Sequence, residues 1–220
     1  MATGDEIIGE LLEIPEDGEE AGRLSYALLR EIFGGYSPES LQSLMDSDKD
    51  FLVDSASWIF SELGSKSSPY LQSIAFLLSH RSHRARFWAI EAVHAAAGPG
   101  DGRIIAQAFS LIADPTPQVR WEVMNFLSGA TTAQLESSLP YLRDGSLSSP
   151  VSWLASISDN HEADKEIKNK LSSSSSIDRR IAVAAAARSP SGRRPLLEYA
   201  ATLSDPEVQN FAESALRTMN

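Results

Sequence analysis

The stretch "ADPTPQVRWEVMNFL", Ala113 to Leu127, indicates how this chain folds. Its apolar residues follow the i, i+4, i+7, i+8 spacing that places side chains on one face of an α-helix. They are Val119, Val123, Phe126 and Leu127. Trp121 falls nearly opposite that face, where a side chain is expected to meet water. The stretch therefore predicts a polar turn followed by an amphipathic helix with a large aromatic residue on its outer side.

The same spacing recurs along the chain at nearly regular intervals. The recurring segments begin at Leu52, Ala85, Val119, Val151, Ile177 and Val208, and successive starts lie 33, 34, 32, 26 and 31 residues apart. A near-constant period of this length is typical of a helical solenoid, in which each repeat packs on its neighbours. Since no segment alternates as a strand does, the sequence predicts an all-α fold.

Two Asp-Pro pairs indicate where helices begin. Asp114-Pro115 and Asp205-Pro206 each place a capping carboxylate before a proline. This order suits a helix start, because proline fits the first helical position and lacks only an N–H that would be unpaired there. We expect a helix to begin at each pair, and we expect Ser176 to cap the helix that starts at Ile177.

The segments "DPTPQVRWEV" and "LSDPEVQNFAESAL" resemble the turn and second helix of HEAT repeats. Arg120 and Arg86 match the arginine that follows the first apolar residue in that family. The other repeats depart from it, with Val53, Ser152, Asp178 and Gln209 at that position. The resemblance implies an ARM/HEAT-like, right-handed α-solenoid (superhelix) of about six helix pairs, and a recognition scaffold more often than an enzyme.

We expect this fold to form a single domain. Residues 1–36 contain "DEIIGELLEI" and "AGRLSYALLREIF", which have helical spacing and are predicted to form an N-terminal capping helix pair. Residues 37–220 are predicted to form the HEAT-like helical repeats.

Negative charge is concentrated near the start of the chain. Among 220 residues the net charge is −11, and residues 1–78 hold fifteen acidic and four basic residues, which accounts for all of it. Such a field repels phosphate backbones and attracts cationic surfaces, so the acidic third is either a docking face or a solvated face. The chain has no cysteine, no apolar run near membrane-span length and no basic residue in its first ten. These features predict a cytoplasmic protein that binds no membrane.

The outer faces of the second helices carry the candidate binding residues. In each repeat the residues at i+2 and i+6 lie opposite the core-facing position. A stripe from this set is predicted to bind a partner: Asp54, Trp58, Phe87, Glu91, Trp121, Asn125 and Trp153. It is expected to end at basic Arg179. Exposed tryptophans often mark interaction surfaces, but the same rings can instead pack between neighbouring helices or form a ligand cage.

Motifs for metal or catalytic chemistry are incomplete. Asp46, Asp48 and Asp50 have calcium-loop spacing, but Phe51 stands where glycine is needed and Ser57 where glutamate is needed. His80 and His83 flank a turn and do not share a helix face. We therefore predict no metal, no cofactor and no catalytic residues. The basic cluster is interpreted as a solvated face or as pairing with nearby acids, with phosphate binding as the alternative; it comprises Arg179, Arg180, Arg188, Arg193 and Arg194.

The sequence favours a non-enzymatic protein that binds another protein. We expect the partner to have a basic surface, no nucleic acid to bind, and the unbound chain to be a monomer. One specific version is a bacterial immunity or antitoxin-like protein that neutralises a cationic toxin. Two alternatives use the same scaffold: a HEAT-like DNA glycosylase, and a cofactor- or chromophore-handling protein whose aromatic stripe stacks on a flat ligand.

Overall fold

The structure, a computed structural model, describes residues 3–142, 145–157, 160–189 and 192–219. These residues form α-helices joined by short turns, and none of them lies in a strand. The α-helices are α1 Gly4–Glu13, α2 Glu19–Phe33, α3 Gln42–Met45, α4 Asp50–Glu62, α5 Leu71–Leu77, α6 His83–Ala96, α7 Gly102–Ser110, α8 Pro117–Gly129, α9 Thr132–Ser138, α10 Gly145–Ser156, α11 His161–Leu171, α12 Ser176–Ala187, α13 Arg194–Ala200 and α14 Pro206–Arg217. Short 3-10 helices span Pro38–Leu41, Gly64–Tyr70, Pro99–Asp101, Leu111–Ala113 and Leu139–Tyr141. The all-α prediction is confirmed.

The chain divides into two compact units, Met1–Ala97 and Gly98–Asn220. In the first unit α1 packs on α2, and α4 packs on both α2 and α6. Ser57 donates a hydrogen bond of 2.7 Å to the carbonyl oxygen of Ala85, which joins α4 to α6 inside the core. The division predicted at residues 36 and 37 stays a prediction. Among the described residues no helix is both long enough and apolar enough to cross a membrane.

The helix that the quoted stretch predicts is present as α8. Val119, Val123, Phe126 and Leu127 are all 0% exposed, whereas Trp121 is only partly buried. Burial of such side chains is the main favourable contribution to folding, at about 1.5–3 kcal/mol for each large aliphatic or aromatic group. The apolar face of α8 is therefore the core face, as its spacing predicts.

The start of α14 is as predicted, but the start of α8 is not. Asp205 caps α14 by accepting hydrogen bonds from the backbone N–H groups of Glu207 and Val208. Helix α8 begins two residues after the expected position, with Thr116 as its N-cap. The reason is the second proline, Pro117, because the residue before a proline is pushed out of the helical region. Thr116 is accordingly extended, with φ −89° and ψ 122°.

Helix α12 also begins differently from the prediction. Its cap is Ser175, which accepts from the N–H of Asp178, and not Ser176. Arg179 donates to the carbonyl oxygens of Ser173 (2.8 Å) and Ser174 (3.1 Å). Arg86 and Arg120 each donate in the same way to the carbonyl oxygen six residues before them, so Arg179 is the structural counterpart of these two arginines. The spacing places Asp178 at this position, so the repeat at α12 begins one residue later than predicted.

In the second unit the helices do not pack simply in chain order. The main helical neighbour of α8 is α12, which also contacts α10 and α14, while α9 packs on α7. The buried side chains of α12 are mostly small. Residues 182–186 are all buried, and each of them is alanine except Val183. Short side chains let the flanking helices α8 and α14 approach each other across it.

Candidate partner-binding surfaces

In the first unit the predicted residues lie on α4 and α6, where Asp54 differs from the rest. Asp54 is only 6% exposed, and Ser82 donates a 2.6 Å hydrogen bond to its Oδ1. Arg84 Nε lies 3.6 Å from Oδ2. Burial raises the pKa of Asp54, while the Ser82 hydrogen bond and the Arg84 charge act in the opposite direction. Asp54 thus holds the start of α6 in place and offers little surface to a partner.

Trp58 and Glu91 belong to an acidic and aromatic patch that also contains Glu62. The indole Nε1 of Trp58 donates to Glu62 Oε1 at 3.0 Å, one helical turn along α4. Burial and, secondarily, the negative charge of Glu62 raise the pKa of the Glu91 carboxyl. The negative charges of Glu62 and Glu91 therefore act on each other, and a cationic group nearby would relieve that repulsion. Glu62 was missed because only positions i+2 and i+6 were considered.

Phe87 forms an aromatic pair with its neighbour Trp88. The ring centroids are 4.8 Å apart and the planes are nearly perpendicular, at 85°. Such edge-to-face pairs add about 0.5–1.5 kcal/mol beyond their burial. Both rings are partly exposed. Trp88 was not predicted as a surface residue because its spacing places it toward the side of α6.

In the second unit Trp121 and Asn125 line one groove of about 180 Å³. The Trp121 ring meets the Phe211 ring of α14 edge-on, with centroids 5.1 Å apart. Ala187 of α12 and Ser214 of α14 line the same groove. The contact between α8 and α14 passes over the small residues of α12, which explains why sequence spacing within one helix did not reveal Phe211.

The polar side chains that line this groove differ in whether they have hydrogen-bond partners within the protein. Asn125 Nδ2 donates to Glu122 Oε2 at 3.0 Å, and Glu122 is itself buried. Among the described residues the indole N–H of Trp121 has no hydrogen-bond acceptor. The indole N–H of this partly exposed ring can therefore donate a hydrogen bond to a polar atom of a binding partner.

Trp153 lies in a different environment from Trp121. Its Nε1 donates to Glu166 Oε2 at 2.9 Å, and Lys170 Nζ lies 4.9 Å from its ring centroid. Both partners belong to α11. The residues lining the Trp121 groove do not include Trp153. The partner-binding role of all seven residues stays a prediction.

The basic cluster is engaged inside the chain, as its preferred interpretation predicts. Arg188 donates to the carbonyl oxygens of Leu127 and Ala130. The remaining arginines pair with acids: Arg179 with Asp205 at 2.7 Å, Arg180 with Glu207 at 2.8 Å, Arg193 with Asp164 at 3.3 Å and Arg194 with Glu198 at 2.9 Å. Arg179 therefore turns toward a loop and Asp205, and does not end an exposed stripe.

Two of the three acids with calcium-loop spacing have protein partners for their carboxylates. Asp46 accepts from Gln42 at 2.8 Å, and Asp50 pairs with Arg81 at 2.7 Å. Over the described ranges, no group of three or more histidine, cysteine, aspartate or glutamate residues has an arrangement that could hold a metal ion.

Comparison with known proteins identifies the class of fold. No family model matches the chain, and no curated protein matches it. Among solved structures, the designed armadillo repeat protein YIII(Dq)4CqI matches with a TM-score of 0.52 and 15% identity, covering 100% of both chains. The designed armadillo repeat protein YIII(Dq.V1)4CPAF, in complex with peptide (KR)4, matches with 0.51 and 16%, again over 100% of both. An engineered protein matches with 0.50 and 14%, over 98% of this chain and 68% of its own.

These likenesses concern the fold alone, and they show that the chain is an ARM/HEAT-like helical-repeat solenoid. The arginines at the start of α6, α8 and α12 each bond the carbonyl oxygen six residues earlier, as structurally repeated turns do.

Proposed function

We propose that this protein is a non-catalytic module that binds a basic segment of another protein. The observation that carries the proposal is the hydrogen bond from the Trp58 indole to Glu62, together with Glu91, whose carboxyl is close enough to be affected by the charge of Glu62. A lysine or arginine side chain placed there gains ion pairing and cation–π contact. It also offsets the repulsion between the two acids.

The net charge supports a basic partner. Residues 1–97 hold sixteen acidic and seven basic residues, a net charge of −9, whereas residues 98–220 have a net charge of −2. A field of this sign accelerates the approach of a cationic partner. The designed armadillo protein that resembles this chain in fold is in complex with the basic peptide (KR)4, which is compatible with such a partner.

The predicted residues contribute unequally in this proposal. Trp58, Phe87 and Glu91 form the acidic and aromatic contact in the first unit, and Trp121 and Asn125 form a second contact in their groove. Asp54 supports the start of α6, and Trp153 is a peripheral contact beside Glu166.

A synthetic alternating lysine–arginine octapeptide tests the proposal, with an acidic peptide of equal length as the negative control. We expect saturable quenching of tryptophan fluorescence by the basic peptide, weakening as salt rises. Glu91→Gln should weaken binding about fivefold or more, because it removes one of the two carboxylates. Glu136→Gln, which makes the same change at an exposed position of α9, is the matched control. Equal affinity of the two variants, or binding insensitive to salt, would contradict the proposal.

A finer version is that the protein is an immunity or antitoxin-like protein that neutralises a cationic toxin. Its support is the acidic first unit, which offers a nuclease a surface resembling the charge of nucleic acid. Purified cationic nuclease domains can be assayed with and without an equimolar amount of the protein. Inhibition that Glu91→Gln reduces supports this version, and unchanged nuclease activity throughout counts against it. A cytoplasmic location and a monomeric unbound state stay predictions.

The structure favours neither alternative. A DNA reader needs free arginines, but Arg84 pairs with Asp17 and Arg120 pairs with Glu207. A chromophore needs a pocket of about 300 Å³ or more. The groove beside Trp121 measures about 180 Å³.

A further inference from the structure

A groove of about 240 Å³ lies in the first unit, on the opposite side of α4 from Trp58. Phe60 of α4 lines this groove and is only 2% exposed, so its ring forms the floor. Residues two positions apart on a helix point about 200° apart, and Trp58 therefore faces away from the groove. The walls come from residues 38–45, which include α3, and from residues 70–73 at the start of α5. We call it the α3–α5 groove.

The α3–α5 groove offers apolar surface to a single side chain. The rings of Phe60 and Tyr70 lie with their centroids 5.9 Å apart, and half-buried Met45 lines the groove with them. Since small-molecule sites begin at about 300 Å³, the volume suits one large side chain better than a whole ligand.

An exposed phenylalanine extends this apolar surface. Phe76 is 70% exposed and lies three residues after Ser73, so both are on the same side of α5. A single exposed apolar side chain is common on protein surfaces. Next to a groove that is lined by aromatic rings, however, it enlarges the apolar area that a partner could cover.

The α3–α5 groove carries negative charge. Glu39 lines it and is exposed, and over the described ranges its carboxylate makes no hydrogen bond or ion pair. Gln42, also in the lining, donates to Asp46 Oδ1 at 2.8 Å, which places a second carboxylate one helical turn further on. The lining residues that the structure describes include no lysine or arginine.

The lysines nearest to the groove in the sequence have other contacts. Lys49 Nζ donates to the carbonyl oxygens of Leu12 and Ile14, at 2.7 and 2.8 Å. Lys66 Nζ lies 5.0 Å from the centroid of the Phe33 ring. The acids at the α3–α5 groove can therefore pair with a cation that another molecule supplies.

We propose that the α3–α5 groove docks a large apolar side chain of another protein that is flanked by lysine or arginine. The apolar side chain packs on Phe60, Tyr70 and Met45, and the flanking cation pairs with Glu39. An acidic segment is disfavoured, because residues 1–97 hold sixteen acidic and seven basic residues. This surface is separate from the contact around Trp58, so the inference goes beyond the proposed function.

Titration of the full chain with the blocked heptapeptide glycine–serine–lysine–leucine–lysine–serine–glycine tests the proposal. The readout is the methyl resonance of Met45, which we expect to shift with saturation. Serine in place of the leucine should weaken binding about tenfold or more, because it removes the buried apolar side chain. Glu39→Gln should weaken binding about threefold, as the loss of a surface ion pair would. Glu136→Gln, the same change on α9, should leave the affinity unchanged.

A second pair of variants tests the apolar rim without disturbing the core. Phe76→Ser should weaken binding of the heptapeptide about threefold, because the ring that it removes is 70% exposed and adjoins the groove. Tyr26→Ser, which removes a 59% exposed ring from α2, is the matched control and should have no effect. Circular dichroism verifies that all variants are folded.

Three results would overturn the proposal. They are equal binding of the leucine and serine heptapeptides, equal affinity of Glu39→Gln and Glu136→Gln, and a Met45 methyl shift that follows protein concentration without peptide. The last result would show that a second copy of this chain covers the groove. The alternating lysine–arginine octapeptide has no apolar side chain and should leave the Met45 resonance in place, so this proposal and the proposed function can fail independently.

Discussion

At the scale of single residues, the tryptophans have three different environments. Trp58 bonds a glutamate on its own helix, Trp153 bonds one on the following helix, and Trp121 packs on Phe211, ninety positions later in the chain. Each ring therefore makes contacts within the protein and also keeps part of its surface exposed to solvent. The apolar face of α8, which begins at Val119, could be predicted from the sequence because helical spacing depends only on neighbouring residues. The Trp121–Phe211 contact could not, because it depends on how α8, α12 and α14 pack.

The pair of Trp121 and Phe211 yields a testable coupling. Phe211 is 4% exposed, so Phe211→Ala should lower the free energy of unfolding by about 3 kcal/mol. Trp121→Ala should cost about 1–2 kcal/mol, because its ring is only partly buried. A double-mutant cycle in urea should give a coupling of about 0.5–1.5 kcal/mol. Strict additivity would show that the rings do not interact. If Trp121 is also a central contact for the basic partner, Trp121→Ala weakens that binding by about 2 kcal/mol.

Glu91 provides a prediction that depends on pH. Its pKa in the folded protein is raised by burial and by Glu62, so the ionised form is penalised in the folded state. Stability should therefore decrease as pH rises from below the ordinary glutamate pKa through the raised value. Glu91→Gln cannot ionise, so it should melt at a higher temperature than the wild type at pH 7, and this advantage should fade in acid. Thermal unfolding across this pH series is the measurement. A variant that is less stable at pH 7 would contradict it.

At the scale of helices, the backbones of α7 and α9 come so close together that a glycine is needed between them. A methyl group added to Gly102, at the first position of α7, would lie 2.0 Å from the carbonyl oxygen of Ser137 in α9. That distance is far below van der Waals contact and involves backbone, so the helices would have to separate. This helix pair therefore requires glycine for space and not for unusual backbone angles.

We expect Gly102→Ala to destabilise the protein by about 2 kcal/mol or more, measured by urea unfolding. The matched control is Gly100→Ala, two positions earlier, where an added methyl group meets nothing within 4 Å. If the two variants unfold at the same urea concentration, α7 and α9 are not packed as closely as described.

The helix boundaries show where sequence reasoning succeeds and where it does not. The cap at Asp205 was predictable because a carboxylate bonds the next turn whatever the tertiary structure. The shift in α12 was not, because five successive serines offer several possible caps and Arg179 selects one by its pairing with Asp205, 26 residues away. Similarly, the apolar face of α8 predicts that the helix packs on another, but not that its neighbour is α12 with its buried alanines.

At the scale of the whole molecule, charge is the property that distinguishes the two units. Residues 1–97 have a net charge of −9, against −2 for residues 98–220. Thirteen of the fifteen acids in residues 1–78 are exposed. Self-repulsion of this kind lowers the stability of a compact state and is screened by salt.

Thermal unfolding should therefore respond to ionic strength. We expect the melting temperature to rise by a few degrees, roughly 3–5 °C, as sodium chloride increases from low to near-molar concentration. Circular dichroism at 222 nm follows the transition in the same helical signal throughout. A neutral solute at matched osmolality controls for effects that are not electrostatic. A constant or falling melting temperature would show that ion pairs such as Asp17–Arg84 outweigh the repulsion.

The arginines at the start of α6, α8 and α12 also limit how these turns can change in length. Each guanidinium bonds a carbonyl oxygen six positions earlier, so the intervening backbone closes a ring of fixed size. An insertion inside such a ring would separate donor from acceptor and leave buried polar atoms unpaired. Grafted peptides or loop extensions are therefore expected to be tolerated outside these three rings and rejected within them.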